Sequence, residues 1–422
     1  MRRTLTFAAL IFATPALAAD WPQWRGPNRD GVAAEKGLLK SWPKEGPPLA
    51  WKIDTVGVGY GSPAVVGDSI YLLGAEDADK GANEFAVCLN AKDGSKKWST
   101  PLGNEPGSYM TGWGSGPRST PTVDGDVVYV LGAMGDLLAL KAATGEKIWS
   151  ANLVKQFGGK VPTWGYSESV LIDGDKLICT PGGKQGSVAC LDKKLGTRIW
   201  QSAEVKDAAH YSSVIATDVG GVRQYLTQTG DAAIGVRAAD GKLLWRINEL
   251  KRTIGVIPTP VVHDGLAFFT AGYGAGCELF KLESNGGDTK ATVVYTKNKA
   301  VKNHHGGVIR AGDHIYGHSD GNGWVCFDYK KGPDEPEWKN GFEKGSVTFA
   351  DGNLYCYGER TGTLVLVPAM PQGWNEVGRL VPPAKSKHPR RSGAIWAHPV
   401  IANGKLYLRD HELLFCYDIA AR

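Results

Sequence analysis

Leu140-Lys141-Ala142-Ala143-Thr144-Gly145-Glu146-Lys147-Ile148-Trp149 decides the fold. It reads as the end of one apolar strand, a glycine turn, and a second strand closing on tryptophan. The arrangement recurs from Cys88 to Trp98, from Leu191 to Trp200 and from Val236 to Trp245. The spacings between the four closing tryptophans are 51, 51 and 45 residues. A repeat of about 40–50 residues carrying four short strands is the period of a β-propeller blade.

A second signal precedes each of these. Ser62-Pro63-Ala64-Val65-Val66-Gly67-Asp68-Ser69-Ile70-Tyr71 is an apolar run, a tight turn and a second apolar run. Equivalent turns follow at Asp124-Gly125, Asp173-Gly174, Gly220-Gly221, Asp264-Gly265, Gly312-Asp313, Asp351-Gly352 and Asn403-Gly404. Such dipeptides between alternating apolar residues are strong hairpin signals. That makes eight hairpins. The last continues through Leu414-Phe415-Cys416-Tyr417-Asp418 and then lacks an outer strand, whereas Leu49-Ala50-Trp51-Lys52-Ile53 is an outer strand without a blade. Joining the two closes the ring and removes an exposed edge. The expectation is an all-β, eight-bladed propeller over 48–422; seven blades and a stray hairpin is the alternative count. Residues 20–47, with Trp21, Trp24 and Trp42, are expected to pack across the ring as an extended arm.

Composition agrees. Glycine is 56 of 422 residues, about 13% against a usual share of about 7%, and tryptophan numbers 14. A formal charge of +5 without a clustered basic face gives no nucleic-acid footprint. Arg2 and Arg3, the apolar run from Leu5 to Leu17, and Ala16-Leu17-Ala18-Ala19 read as a secretory signal over 1–19, cut after Ala18 or Ala19. The run is too short for a membrane anchor, and no transmembrane segment is expected. The expected location is periplasmic or secreted. Cys88, Cys190, Cys326 and Cys416 recur at one strand position, in Val-Cys-Leu-Asn, Ala-Cys-Leu-Asp, Val-Cys-Phe-Asp and Phe-Cys-Tyr-Asp. They read as small buried hydrophobes, not as disulfides. A closed ring needs no oligomer, so a monomer is expected.

The Ala-x-Asp-Gly-Lys-x-x-Trp endings resemble the tryptophan-docking repeats of quinoprotein alcohol dehydrogenases. Those are eight-bladed propellers that bind pyrroloquinoline quinone (PQQ). Trp21-Pro22-Gln23-Trp24-Arg25-Gly26-Pro27, Trp164-Gly165-Tyr166-Ser167-Glu168-Ser169 and His304-His305-Gly306-Gly307 resemble signatures of shorter secreted PQQ-like repeat proteins. The repeat-scaffold subunit of the outer-membrane β-barrel assembly machinery shares the blade without a cofactor. The resemblance therefore implies the fold and leaves three functions open: small-ligand binding, PQQ-dependent alcohol or sugar oxidation, and non-catalytic scaffolding of a periplasmic protein partner. As implied cofactor chemistry, PQQ with calcium would use Trp164 or Trp396 as a platform and Glu168 with Asn303 for the ion. The adjacent cysteines that many such dehydrogenases use are missing here.

In a propeller, the loop into each innermost strand lines one mouth of the central funnel. Those loops carry Tyr60, then Tyr109, Trp113 and Arg118, then Trp164, Tyr166 and Glu168. They continue with His210, Tyr211 and Ser212, Arg252, Asn303 with His304 and His305, Lys344, and finally Arg390, Arg391, Trp396 and His398. Aromatic walls with a few charged groups suit a small polar ligand such as a sugar, alcohol or acid. Arginine grips carboxylates in bidentate fashion. Glu168, His304 and His210 are the candidates for proton exchange. The remaining ligand candidates are Arg118, Trp113, Trp164, Tyr166, Tyr211, Arg252, Asn303, His305, Arg391, Trp396 and His398. No metal set is expected, because adjacent histidines on a strand point to opposite faces. No nucleophile elbow is present, and Gly112-Trp113-Gly114-Ser115-Gly116 precedes no helix that could cradle phosphate.

Overall fold

The computed structural model describes residues 19–77, 83–103, 109–250, 252, 254–297, 301–388, 390 and 392–421. The first eighteen residues of the expected signal and Arg391 lie outside these.

The strands form eight antiparallel meanders, one per expected hairpin. Each turn read from the sequence joins the innermost strand to the second. Thr122–Asp124 pairs Val127–Leu131 across Gly125, and Val400–Ala402 pairs Lys405–Asp410 across Asn403-Gly404. Positive φ values at Gly125 (59°) and Asn403 (55°) are what such short turns require. Leu49–Ile53 pairs antiparallel with Leu413–Asp418, so blade eight takes its outer strand from the N-terminal side and the ring is closed.

The tryptophans lock neighbouring blades. Trp51, Trp98, Trp149 and Trp200 each donate an indole N–H to a carbonyl in the next blade, at Ala91, Ala142, Lys193 and Ala238, over 2.9–3.2 Å. Each ring lies over the glycine of that turn (Gly94, Gly145, Gly196 or Gly241), where a Cβ would fall 2.4–3.1 Å from the indole. Trp245 departs from the pattern and donates to Gln224 Oε1. Cys88, Cys190, Cys326 and Cys416 sit in register with Trp98, Trp200, Trp338 and Trp51. All seven cysteines are buried outside any disulfide, and these four are small core residues opposite a large ring.

The N-terminal arm departs from an extended crossing. Residues 23–31 are consecutive turns, with positive φ at Arg25, Gly26, Arg29 and Gly31. The segment is wound into the central channel. Trp21 bridges Val65 in blade one, Arg29 donates to the Ser169 and Val170 carbonyls in blade three, and Trp24 donates to Thr259 Oγ1 in blade five. Arg25 reaches the Val308 carbonyl in blade six, and Val32–Ala33 adds a parallel strand to the inner edge of blade seven. Both arginines are fully buried, and desolvation lowers each guanidinium to about 10. Carbonyl acceptors on one side, and the Asp30 and Glu168 carboxyls respectively, offset part of that cost. Among the described residues no helix is long and apolar enough to cross a membrane.

Candidate ligand-binding funnel

The plug closes one side of the channel. On the other side the inner loops enclose a cavity of about 240 Å³ with Trp24 in its lining. Of the residues expected there, Trp113, Arg118, Trp164, Tyr211, His304, His305 and Trp396 line it, together with Tyr60 and Lys344.

The others turn away. Tyr166 is fully buried and donates to the Pro181 carbonyl at 2.9 Å. Glu168 accepts the Thr180 N–H at 2.5 Å, and burial raises its carboxyl to about 7. His210 lies beside Gly230 and a small void lined by Thr180, Thr227 and Thr229. Arg252 is buried in an ion pair with Glu278. Asn303 Nδ2 spends both donors on the Gly307 and His318 carbonyls, at 2.9 Å each. His398 contacts Trp24 (ring centroids 4.6 Å apart) and the His305 carbonyl. These six positions lie outside the cavity lining. Strand-like alternation explains three of them: Ser167, Tyr211 and Ser213 face the cavity, while Tyr166, Glu168 and His210 face the blades, as does Ser212. The basic loop before Arg391 is tied down, with Ser386 and Lys387 bonded to Asp410 and Glu412.

Three lining residues come from elsewhere. Trp24 belongs to the plug. Tyr273 and Glu359 occupy turns between second and third strands, which emerge at the same mouth as the loops into the innermost strands. That shared direction of the two connections is the signal that would have found them.

The wall is an unbroken aromatic ladder. Successive ring centroids run Tyr273–His304 4.4 Å, His304–His305 3.6 Å, His305–Trp396 4.4 Å, Trp396–Tyr60 4.9 Å and Tyr60–His411 4.8 Å. His304 and His305 sit in a loop, so the opposite-face rule for strands does not separate them. Burial, then the Lys344 cation, holds His304 down at about 4, and His305 is held well below the usual imidazole range. Both rings are neutral. His304 Nδ1 lies 3.0 Å from the Lys344 ammonium. An ammonium only donates, so Nδ1 accepts and the proton sits on Nε2. Lys344 also pairs with Asp320 at 2.9 Å.

Arg118 is fixed before any ligand arrives. Its guanidinium lies over the Tyr60 and Tyr109 rings at 5.1 and 5.8 Å. Nη1 donates to the Gly116 and Trp164 carbonyls, and Nη2 to that of Gly114, at 2.8–3.1 Å. Those bonds take three of its five N–H donors, and the Tyr109 hydroxyl lies within reach of the same side chain. No carboxylate lies in ion-pair range of it among the described residues. The buried Trp164 Nε1 and His304 Nε2 have no hydrogen-bond partner among the described residues, whereas the Trp396 indole faces the Glu359 carboxyl. With the tautomer above, the Trp164 and His304 nitrogens are both donors. Glu359 is the acidic member of the wall, 3.8 Å from His305 Nδ1, and burial raises it to about 7. Among the described residues no three His, Cys, Asp or Glu side chains are grouped to hold a metal ion.

A family profile described as outer membrane protein assembly factor BamB matches residues 83–340. The BamB of Yersinia pestis is 24% identical over 284 residues, and the chain spans 64% of that relative's length, with 64% of its own aligned. Among solved structures, BamB from Moraxella catarrhalis superposes with a TM-score of 0.57 at 16% identity, covering 86% of this chain and 95% of that one. The quinohemoprotein alcohol dehydrogenase of Comamonas testosteroni gives 0.63 at 11% identity, covering 95% and 80%. At these identities the two structures carry the fold alone.

Proposed function

The chain belongs to the PQQ-like repeat family described as outer membrane protein assembly factor BamB, and from that premise we propose that it is an exported propeller whose funnel binds a small cyclic carboxylate, a sugar acid above all. The observation that carries this is Arg118. A guanidinium held by three carbonyls and two rings, without a carboxylate partner, is preorganised for an anion. The unpartnered donors of Trp164 and His304 add to it, so the wall asks for a ligand rich in acceptors. The ladder supplies flat apolar faces for a ring. Export rests on the Arg2-Arg3 start and the apolar run that follows.

PQQ with calcium does not fit the donors present. PQQ carries several carboxylates. The cavity offers Arg118 and Lys344, and Lys344 is already paired with Asp320. The calcium pair offered by sequence does not meet in the cavity: Glu168 faces the blade interior, and Asn303 is not part of the lining. Trp396 is covered by His305 on one side and Tyr60 nearby, which leaves it a wall and not a free platform. Proton exchange in this cavity falls to Glu359 and His304, in place of Glu168 and His210.

A second reading keeps the scaffold function of the family description. Ile148, Leu195 and Ile199 are exposed apolar residues on the rims of blades two and three. A protein partner would cover them, and their replacement by serine would abolish its capture without touching the funnel.

The funnel reading is tested by quenching of the cavity tryptophans with glucuronate, galacturonate and benzoate, with glucose as the neutral control. Saturable quenching by a carboxylate supports it. Equal responses to glucose and glucuronate count against the anion site, and no response to any of them counts against the funnel.

A further inference from the structure

Glu35 is a fully buried carboxylate whose hydrogen-bond partners are all main-chain N–H groups. Oε1 accepts from Ala19 at 3.0 Å and Asn403 at 2.5 Å; Oε2 accepts from Gly404 at 3.1 Å. Asn403 and Gly404 form the inner turn of blade eight, and their left-handed φ values of 55° and 69° aim both N–H groups at one oxyanion. No lysine, arginine or histidine lies in ion-pair range of Glu35 among the described residues. A carboxylate taken out of water without a cation is costly, even with several amide donors.

Ala19 follows the small-residue pattern Ala16-Leu17-Ala18, which leaves the cut after Ala18 or after Ala19. The chain is held from Ala19 onward. Asp20 Oδ1 accepts the Gly67 N–H at 2.8 Å, and Trp21 exchanges two 2.8 Å bonds with Val65.

We propose that the secretory peptidase cuts between Ala18 and Ala19, and that the new α-ammonium of Ala19 becomes the missing cation of Glu35. Water adds across the peptide bond: its hydroxyl ends on the Ala18 carbonyl carbon, giving the leader a carboxylate. The Ala19 nitrogen keeps the bonding pair and takes up protons to become an ammonium. A main-chain amide bond is thereby replaced by a charge-assisted one. It ties the root of the plug to blade eight, while Asp20 and Trp21 tie it to blade one. A cut after Ala19 would remove this contact and leave Glu35 without a cation, so the geometry selects between the two sites.

The experiment is intact-mass analysis of the protein recovered after export. A mature chain beginning at Ala19 is expected; one beginning at Asp20, or elsewhere, overturns the proposal. The ion pair is then tested with Glu35→Gln in two backgrounds: the exported protein, and a form in which glycine precedes Ala19 so that its nitrogen stays an amide. The substitution should lower the unfolding midpoint by roughly 2 °C or more in the exported protein, and by clearly less in the extended form. Equal losses overturn the pairing. Should Glu35→Gln not fold, amine acetylation of the native exported protein decides. An Ala19 amine that stays unmodified while exposed lysines react supports the pair, and one that reacts as they do refutes it.

Discussion

Gly145 and Gly125 belong to the same blade and both have positive φ, 73° and 59°. They differ in what faces them. A Cβ on Gly145 would fall 2.5 Å from Trp98 Cε3 and 2.7 Å from Thr100 Oγ1, whereas one on Gly125 would meet nothing within 4 Å. Alanine at Gly125 therefore carries only the left-handed backbone term, about 1 kcal/mol. Alanine at Gly145 carries that term and also displaces the Trp98 ring. It loses the 2.9 Å indole bond to Ala142, worth about 1 kcal/mol, and part of the apolar burial of a half-buried indole, about 1–2 kcal/mol. The expected totals are about 1 kcal/mol for Gly125→Ala and about 3–4 kcal/mol for Gly145→Ala. Urea unfolding followed by tryptophan fluorescence measures both, and an unchanged m-value would place the loss in the native state. Costs within about 0.5 kcal/mol of one another would refute the view that tryptophan docking on the next blade's glycine holds the ring together.

Glu359, raised to about 7 by burial, is largely neutral below that pH and an anion above it. Affinity for glucuronate should fall on the order of tenfold between pH 6 and pH 8, since like charges about 8–10 Å apart repel by about 2 kcal/mol at an effective dielectric near 20; Glu359→Gln should flatten the profile in calorimetric titrations. His318 is lowered to about 4 by burial, so the unfolded chain takes up a proton below pH 6.5 that the folded chain refuses. Its contribution is present above pH 6.5 and is lost toward pH 4. His318→Gln should therefore gain on the parent protein over that window, by up to roughly 3 kcal/mol, in unfolding midpoints measured at each pH. Trp24→Ala should open the funnel floor and weaken glucuronate binding, while far-ultraviolet circular dichroism stays unchanged.

Local signals made the ring legible. Each hairpin needed only a turn dipeptide between apolar runs, and four of the blade junctions only a tryptophan docked on a glycine turn. The orphan strand at Leu49–Ile53 was legible by counting. The plug was not. Nothing local marks Arg25 and Arg29 as buried, because their burial depends on carbonyls from blades three and six that the sequence does not bring together. At the funnel, the loops were located correctly but not the face of each residue. Period-two alternation sends Tyr166 and Glu168 into the blades and leaves Ser167 in the cavity. Tyr273 and Glu359 sit on the turns between second and third strands, which no tryptophan or turn motif marks as facing the funnel.

The central claim is that Arg118 makes the funnel an anion site. Calorimetric titration of glucuronate and of glucose into the exported protein and into Arg118→Met tests it most directly. The account predicts glucuronate binding that weakens at least tenfold in Arg118→Met, one charge-assisted bond being worth about 1.5–3 kcal/mol, with glucose bound more weakly and little affected by the substitution. Glucuronate binding that survives Arg118→Met unchanged, or an absence of glucuronate binding to the folded parent protein, would contradict it.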